Sequence, residues 1–172
     1  MKTSLFVDGY NIIGAWPELE RLKDVDLETA RKILADQLSE FQALSHYEIF
    51  LIFDGHLVKN NLGEVIKTPY LTIIYTKEGM TADMLIERYV AKQPRYHKTY
   101  VATNDRLEQE TILANGALRI SARELKNLME EALKNMKENV GHHENTYRQP
   151  KSNTVDAHLS PDIIDKLKRL LD

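Results

Sequence analysis

Three aspartates in this chain each follow closely on a short apolar run: Asp8 after Leu5-Phe6-Val7, Asp54 after Ile49-Phe50-Leu51-Ile52-Phe53, and Asp105 shortly after Tyr100-Val101-Ala102. A fourth, Asp83, sits just inside a helix that Thr81 is suited to cap. Taken singly, each has an ordinary explanation. Asp8-Gly9 and Asp54-Gly55 read as turns, Asp83 favours a helix dipole, and Asp105 caps a following helix. Brought together, they do chemistry. Two unit charges 4 Å apart repel by about 1 kcal/mol in water and about 4 kcal/mol at an effective dielectric of 20, so converging carboxylates call for a cation. Mg²⁺ suits such a place because it prefers oxygen ligands and keeps waters that can be activated or can bridge to phosphate. The chemistry implied is metal-assisted phosphoester hydrolysis.

Convergence depends on the elements that carry the acids. The runs through Val7, Phe53 (from Tyr47), Tyr75 (from Tyr70), Ala102 (from Lys98) and Ile120 (from Ala117) read as five strands. Amphipathic helices are expected between them: from Leu27 to near Ser45, from Thr81 to Pro94, through Leu107, Ile112 and Leu113 to Gly116, and from a Ser121/Glu124 capping box onward. Strands alternating with helices predict an α/β fold, a mainly parallel central sheet of about five strands with helices on both faces. Parallel neighbours release Asp8, Asp54 and Asp105 at one edge of that sheet, where α/β proteins bind ligands. Asp83 starts a helix at the same edge. Gly9 permits close backbone approach, and Asn11 adds an amide that both donates and accepts. Residues Ile12 to Lys23 read as a loop or short helix, with Trp16 as a packing anchor. Residues Leu57 to Pro69 read as a polar loop beside the site.

Composition narrows the class. Cys is absent, which excludes disulfides, thiolate catalysis and Cys-ligated zinc and fits a reducing cytoplasm. No apolar run is long enough to span a bilayer, and Met1-Lys2-Thr3 leads straight into a strand, so neither a membrane partner nor a secretory leader is expected. The net charge of -3 gives no overall basic signal for nucleic acid, although local cation clusters decide phosphate binding. His56 reads as a loop histidine and His142-His143 as too isolated for a metal site.

Five segments together resemble the YacP-like branch of the NYN-domain, PIN-like ribonucleases. They are Val7-Asp8-Gly9-Tyr10-Asn11, Phe53-Asp54-Gly55-His56, Thr81-Ala82-Asp83, Ala102-Thr103-Asn104-Asp105 and Gly116 to Leu125, in the family's order. The resemblance implies a three-layer α/β/α sandwich of the PIN-like type. It also implies Mg²⁺- or Mn²⁺-dependent endonucleolytic cleavage of RNA, specifically messenger RNA in association with translating ribosomes. Position by position, Asp8, Asp83 and Asp105 match the family's metal-binding acids, Asn11 the Asn after the first, and Asp54 a recurrent acid that binds metal or orients a neighbour. Glu87, one turn beyond Asp83, reads as a solvated face.

RNA also has to be gripped. Arg119, Arg123, Lys59, Lys67 and Lys77 are the candidate phosphate contacts, and Tyr10 and Trp16 the candidate stacking surfaces. Each has a solvated or packing alternative. The chain is expected to divide into a nuclease domain over 1–140, a linker over 141–159 and an amphipathic C-terminal helix over 160–172. Competing readings are a metal-dependent phosphatase, a DNA nuclease on a related sheet, and a non-catalytic RNA- or ribosome-binding module. The absence of a second Asp two residues after Asp8 disfavours an aspartyl-phosphate phosphatase. Oligomeric state is not legible.

Overall fold

The computed structural model describes residues 3–55, 62–92, 98–105 and 116–143, with the backbone alone over 139–143. Its strands are β1 (Thr3–Asp8), β2 (Tyr47–Phe53), β3 (Glu64–Thr68), β4 (Leu71–Tyr75), β5 (Thr99–Ala102) and β6 (Leu118–Ile120). Its helices are α1 (Gly9–Ala15), α2 (Pro17–Lys23), α3 (Leu27–Leu44), α4 (Ala82–Ala91) and, numbered here in order, α5 (Ala122–His143). The strands form one sheet in the order β3-β4-β2-β1-β5-β6, with every pair parallel except the β3–β4 hairpin at one end.

Alternation along the central strands explains why the sheet is covered on both sides. Leu5, Val7, Ile49, Leu51 and Phe53 face the cluster completed by α1, α2, α3 and α5. Phe6, Phe50, Ile52 and Ile74 face α4, which contributes Leu85, Ile86 and Tyr89. On that second face Phe6 stacks on Phe50 at 4.8 Å between centroids and meets Tyr89 at 4.4 Å. Burying each such side chain stabilises the fold by roughly 1.5–3 kcal/mol, so β1 and β2, apolar on both faces, anchor the sheet. The α3 stripe Ala30, Leu34, Leu38 and Phe41 recurs at helical spacing and is buried throughout.

Three stretches differ from the expectation. Within the predicted polar loop, Glu64–Thr68 forms the edge strand β3, antiparallel to β4, which makes six strands rather than five. Its charged, largely exposed residues read as loop because an edge strand open to water on one side is protected by charge, not by apolar content. Between Gly9 and Lys23 there are two short helices, broken at Trp16, with Pro17 at the first position of the second. α5 runs through His143, past the predicted domain boundary. The predicted helix over 106–115, the linker beyond 143, the C-terminal helix, Pro94, His56 and Lys59 lie outside the described residues. No helix among the described residues is long and apolar enough to cross a membrane.

Candidate active site

The strand register brings the acids to one edge. Asp8 pairs with Ile52, and Ile52 with Ile74, so Asp54 and the turn Thr76–Thr81 leave β2 and β4 just beyond the row that Asp8 occupies. Val7 pairs with Ala102, and Ala102 with Ile120, so Thr103-Asn104-Asp105 and Ser121 leave β5 and β6 at the same edge. α4 and α5 both begin there.

Asp8 is the centre of this edge. It caps α1 by accepting from the Asn11 backbone N–H at 3.2 Å. Its carboxyl also shares a hydrogen bond with Asp83, and its pKa is pushed up to about 7. Burial is the main cause, the Asn11 amide opposes it, and the charges of Asp83 and Asp54 add to it. Two carboxyls sharing a hydrogen bond in a half-buried place retain a proton unless a cation replaces it.

Asp83 meets Asp8 because α4 starts where it does. Thr81 caps the helix through its side chain, accepting from Met84 N–H at 3.2 Å, and Asp54 Oδ1 accepts from Ala82 N–H. The turn bearing Asp54 is joined to the turn that leads into α4. Thr76 N–H reaches Phe53 O at 2.9 Å, Gly55 N–H reaches Thr76 Oγ1 at 2.8 Å, and Thr76 Oγ1 donates to Met80 O at 2.5 Å. A Cβ on Gly55 would stand 1.4 Å from Thr76 O, so no other residue fits there.

Asp105 is exposed on the β5 side, one residue beyond an amide relay. Asn11 Oδ1 accepts from Asn104 N–H at 2.7 Å, and Asn104 Oδ1 accepts from Ala122 N–H at 2.9 Å. Thr103 Oγ1 accepts from Asp105 N–H at 3.1 Å, which shapes the turn that presents the acid. Asn104 stood inside a motif of the sequence without being singled out; its position between Asp105 and the strand was the only signal. Thr76 carried none, because its partners lie across the sheet edge.

The cationic and aromatic candidates separate. Arg123 is exposed on the first turn of α5, Lys77 is half-buried in the turn before α4, and Arg119 donates through Nε to Thr103 O at 3.4 Å. Lys67 lies on β3, three strands from β1, roughly 14 Å across the sheet. Tyr10 is half-buried, 5.0 Å from the Phe53 ring, and its hydroxyl accepts from Arg31 at 3.4 Å. Trp16 is 3% exposed and donates its indole N–H to Ala122 O at 3.0 Å, so it is a packing anchor joining α1–α2 to α5. Glu87 is exposed.

Among the described residues, no three His, Cys, Asp or Glu side chains are gathered closely enough to hold an ion by protein ligands alone. Asp8 and Asp83 are the carboxylates that could hold a cation here, one that keeps its waters rather than one caged by protein ligands.

An α/β sheet with acids at the carboxyl edge, one on β1 and one opening a helix, defines an α/β protein with a hydrolase-like site. The chain belongs to a particular family within that class: residues 5–172 match the family model described as the YacP-like NYN domain. It is 43% identical to YacP of Bacillus subtilis (strain 168) over 122 residues, 70% of this chain and 71% of that one. The solved structures of Rae1 (YacP) from Bacillus subtilis share the fold. One, of a single-substitution mutant, has TM-score 0.69 and 30% identity over 98% of this chain and 92% of that chain. The other has TM-score 0.68 and 37% identity over 83% and 81%. Membership and site together are consistent with a nuclease acting on RNA.

Proposed function

We propose that this protein is a Mg²⁺- or Mn²⁺-dependent endoribonuclease that cleaves messenger RNA in association with the translating ribosome, in the cytoplasm. The observation that carries the reading is the hydrogen-bonded pair Asp8–Asp83 at the carboxyl edge of the sheet. In it, Asp8 and Asp83 would hold the cation, with Asp105 exposed at the same edge. A cation bound there would polarise the scissile phosphodiester and supply the attacking water. Asn11 keeps the Asp105 turn in register through Asn104, and Lys77 and Arg123 offer charge to phosphates at the same edge. A net charge of -3, with few cations at that edge among the described residues, supports weak intrinsic affinity for RNA, which is why the ribosome is invoked as the positioning partner.

The test compares a translated messenger with the same RNA naked, each with Mg²⁺ or EDTA. Metal-dependent cuts confined to the translated sample are expected. Equal cutting of short naked RNA removes the ribosome from the account, and ribosome binding without cleavage in any condition leaves a non-catalytic module.

A further inference from the structure

The geometry points to Asp54 as a positioning residue that fixes the start of α4, and with it Asp83, against Asp8, rather than as a ligand of the cation. This deepens the nuclease reading and rests on it.

Asp54 Oδ1 accepts from the N–H of Ala82, the residue immediately before Asp83. The first N–H groups of a helix have no partner inside it, and a carboxylate there satisfies one and favours the dipole. Thr81 serves Met84 N–H in the same turn, so α4 has one cap from its own sequence and one from the turn after β2. Ala82 is itself 1% exposed, which seats this turn in the core. The other end of the link is equally fixed. The three bonds joining Phe53, Gly55, Thr76 and Met80 hold the Asp54 turn against the approach to α4. Asp54 is therefore built into the frame of the site, with one oxygen turned to the helix. A water-keeping cation on two carboxylates does not need it as a third ligand.

Asp54→Asn and Asp54→Ala separate the roles, because both remove the same charge while only Asn keeps an acceptor for Ala82. Amide hydrogen exchange at Ala82 is read by NMR and Mn²⁺ affinity by calorimetry, with the remaining amides as a control for folding. Positioning predicts that Asp54→Asn keeps Ala82 protected, whereas Asp54→Ala exchanges there at least about tenfold faster and binds Mn²⁺ about 10- to 100-fold more weakly than Asp54→Asn. Equal Mn²⁺ losses in the two variants, or unchanged exchange at Ala82 in Asp54→Ala, overturn it. Should Asp54→Ala fail to fold, Asp54→Asn decides alone. Mn²⁺ affinity within about 20-fold of wild type supports positioning, and a larger loss with Ala82 still protected overturns it. If wild type binds no Mn²⁺, the nuclease reading fails, while exchange at Ala82 in the variants still decides what Asp54 holds.

Discussion

The side chain of Asn11 accepts a hydrogen bond of 2.7 Å from the backbone N–H of Asn104, 93 residues away. This single contact joins the first turn of α1 to the turn after β5, and Asn104 passes it on to the start of α5. It sets Asp105 relative to Asp8. Asn11→Ala removes the acceptor and is expected to cost about 1 kcal/mol of stability, the ordinary worth of such a bond. Cleavage should fall further, by about tenfold or more, because a small misplacement at a reacting centre is amplified in rate. Denaturant unfolding alongside cleavage rates checks the gap between the two effects.

The raised pKa of Asp8 makes stability depend on pH in a definite direction. Unfolded, its carboxyl ionises near 3.8; folded, near 7. Between those values the folded state holds the extra proton, so the metal-free protein loses stability as pH rises from about 4 to 7, by roughly 2 to 4 kcal/mol. Melting temperature across that window should show a fall in the wild type that Asp8→Asn lacks. Mn²⁺ or Mg²⁺ should restore stability at the upper end, since the cation compensates the charge that ionisation creates.

Glycines at the site edge should respond unequally. Gly55→Ala places a Cβ 1.4 Å from a backbone oxygen that cannot give way, and a loss of about 3 kcal/mol or more is expected. Gly14, inside α1, has nothing within 4 Å of the position a Cβ would take. Gly14→Ala should stabilise the protein by about 0.5–1 kcal/mol through helix propensity. Thermal melts of the two variants test the contrast.

Trp16→Phe keeps most of the packing but loses the indole donor to Ala122 O. Loss of that bond, at a carbonyl that keeps its partner within the helix, should cost about 0.5–1.5 kcal/mol, against about 3–5 kcal/mol for Trp16→Ala. Similar losses in the two variants would show that the hydrogen bond, not packing, carries the anchor.

Much of this was legible in the chain because periodicity and capping are local. Tyr47–Phe53 is continuously apolar, Thr81 caps α4, and Ser121 with Glu124 forms the capping box of α5, with Ser121 N–H to Glu124 Oε2 at 2.7 Å. The parallel order that puts Asp8 and Asp54 on one edge followed from strand and helix alternation. What stayed hidden was relational. β3 is polar because it is an edge, Asn104 and Thr76 matter through partners far away in sequence, and the contact from Asp54 to Ala82 exists only once β2 and β4 are neighbours. Lys67 looked close to the site along the chain, yet β3 carries it to the outside of the sheet.

In the proposed function Asp8 and Asp83 form one metal-dependent catalytic pair. The most direct measurement is the cleavage rate of a translated messenger in Mg²⁺ by wild type, Asp8→Asn, Asp83→Asn and the double variant. The account predicts that either single change lowers the rate by about 10³-fold or more, and that the double variant is no worse than the singles, as for residues that act as a unit. Full cleavage by either single variant, or cleavage that persists in EDTA, would contradict it.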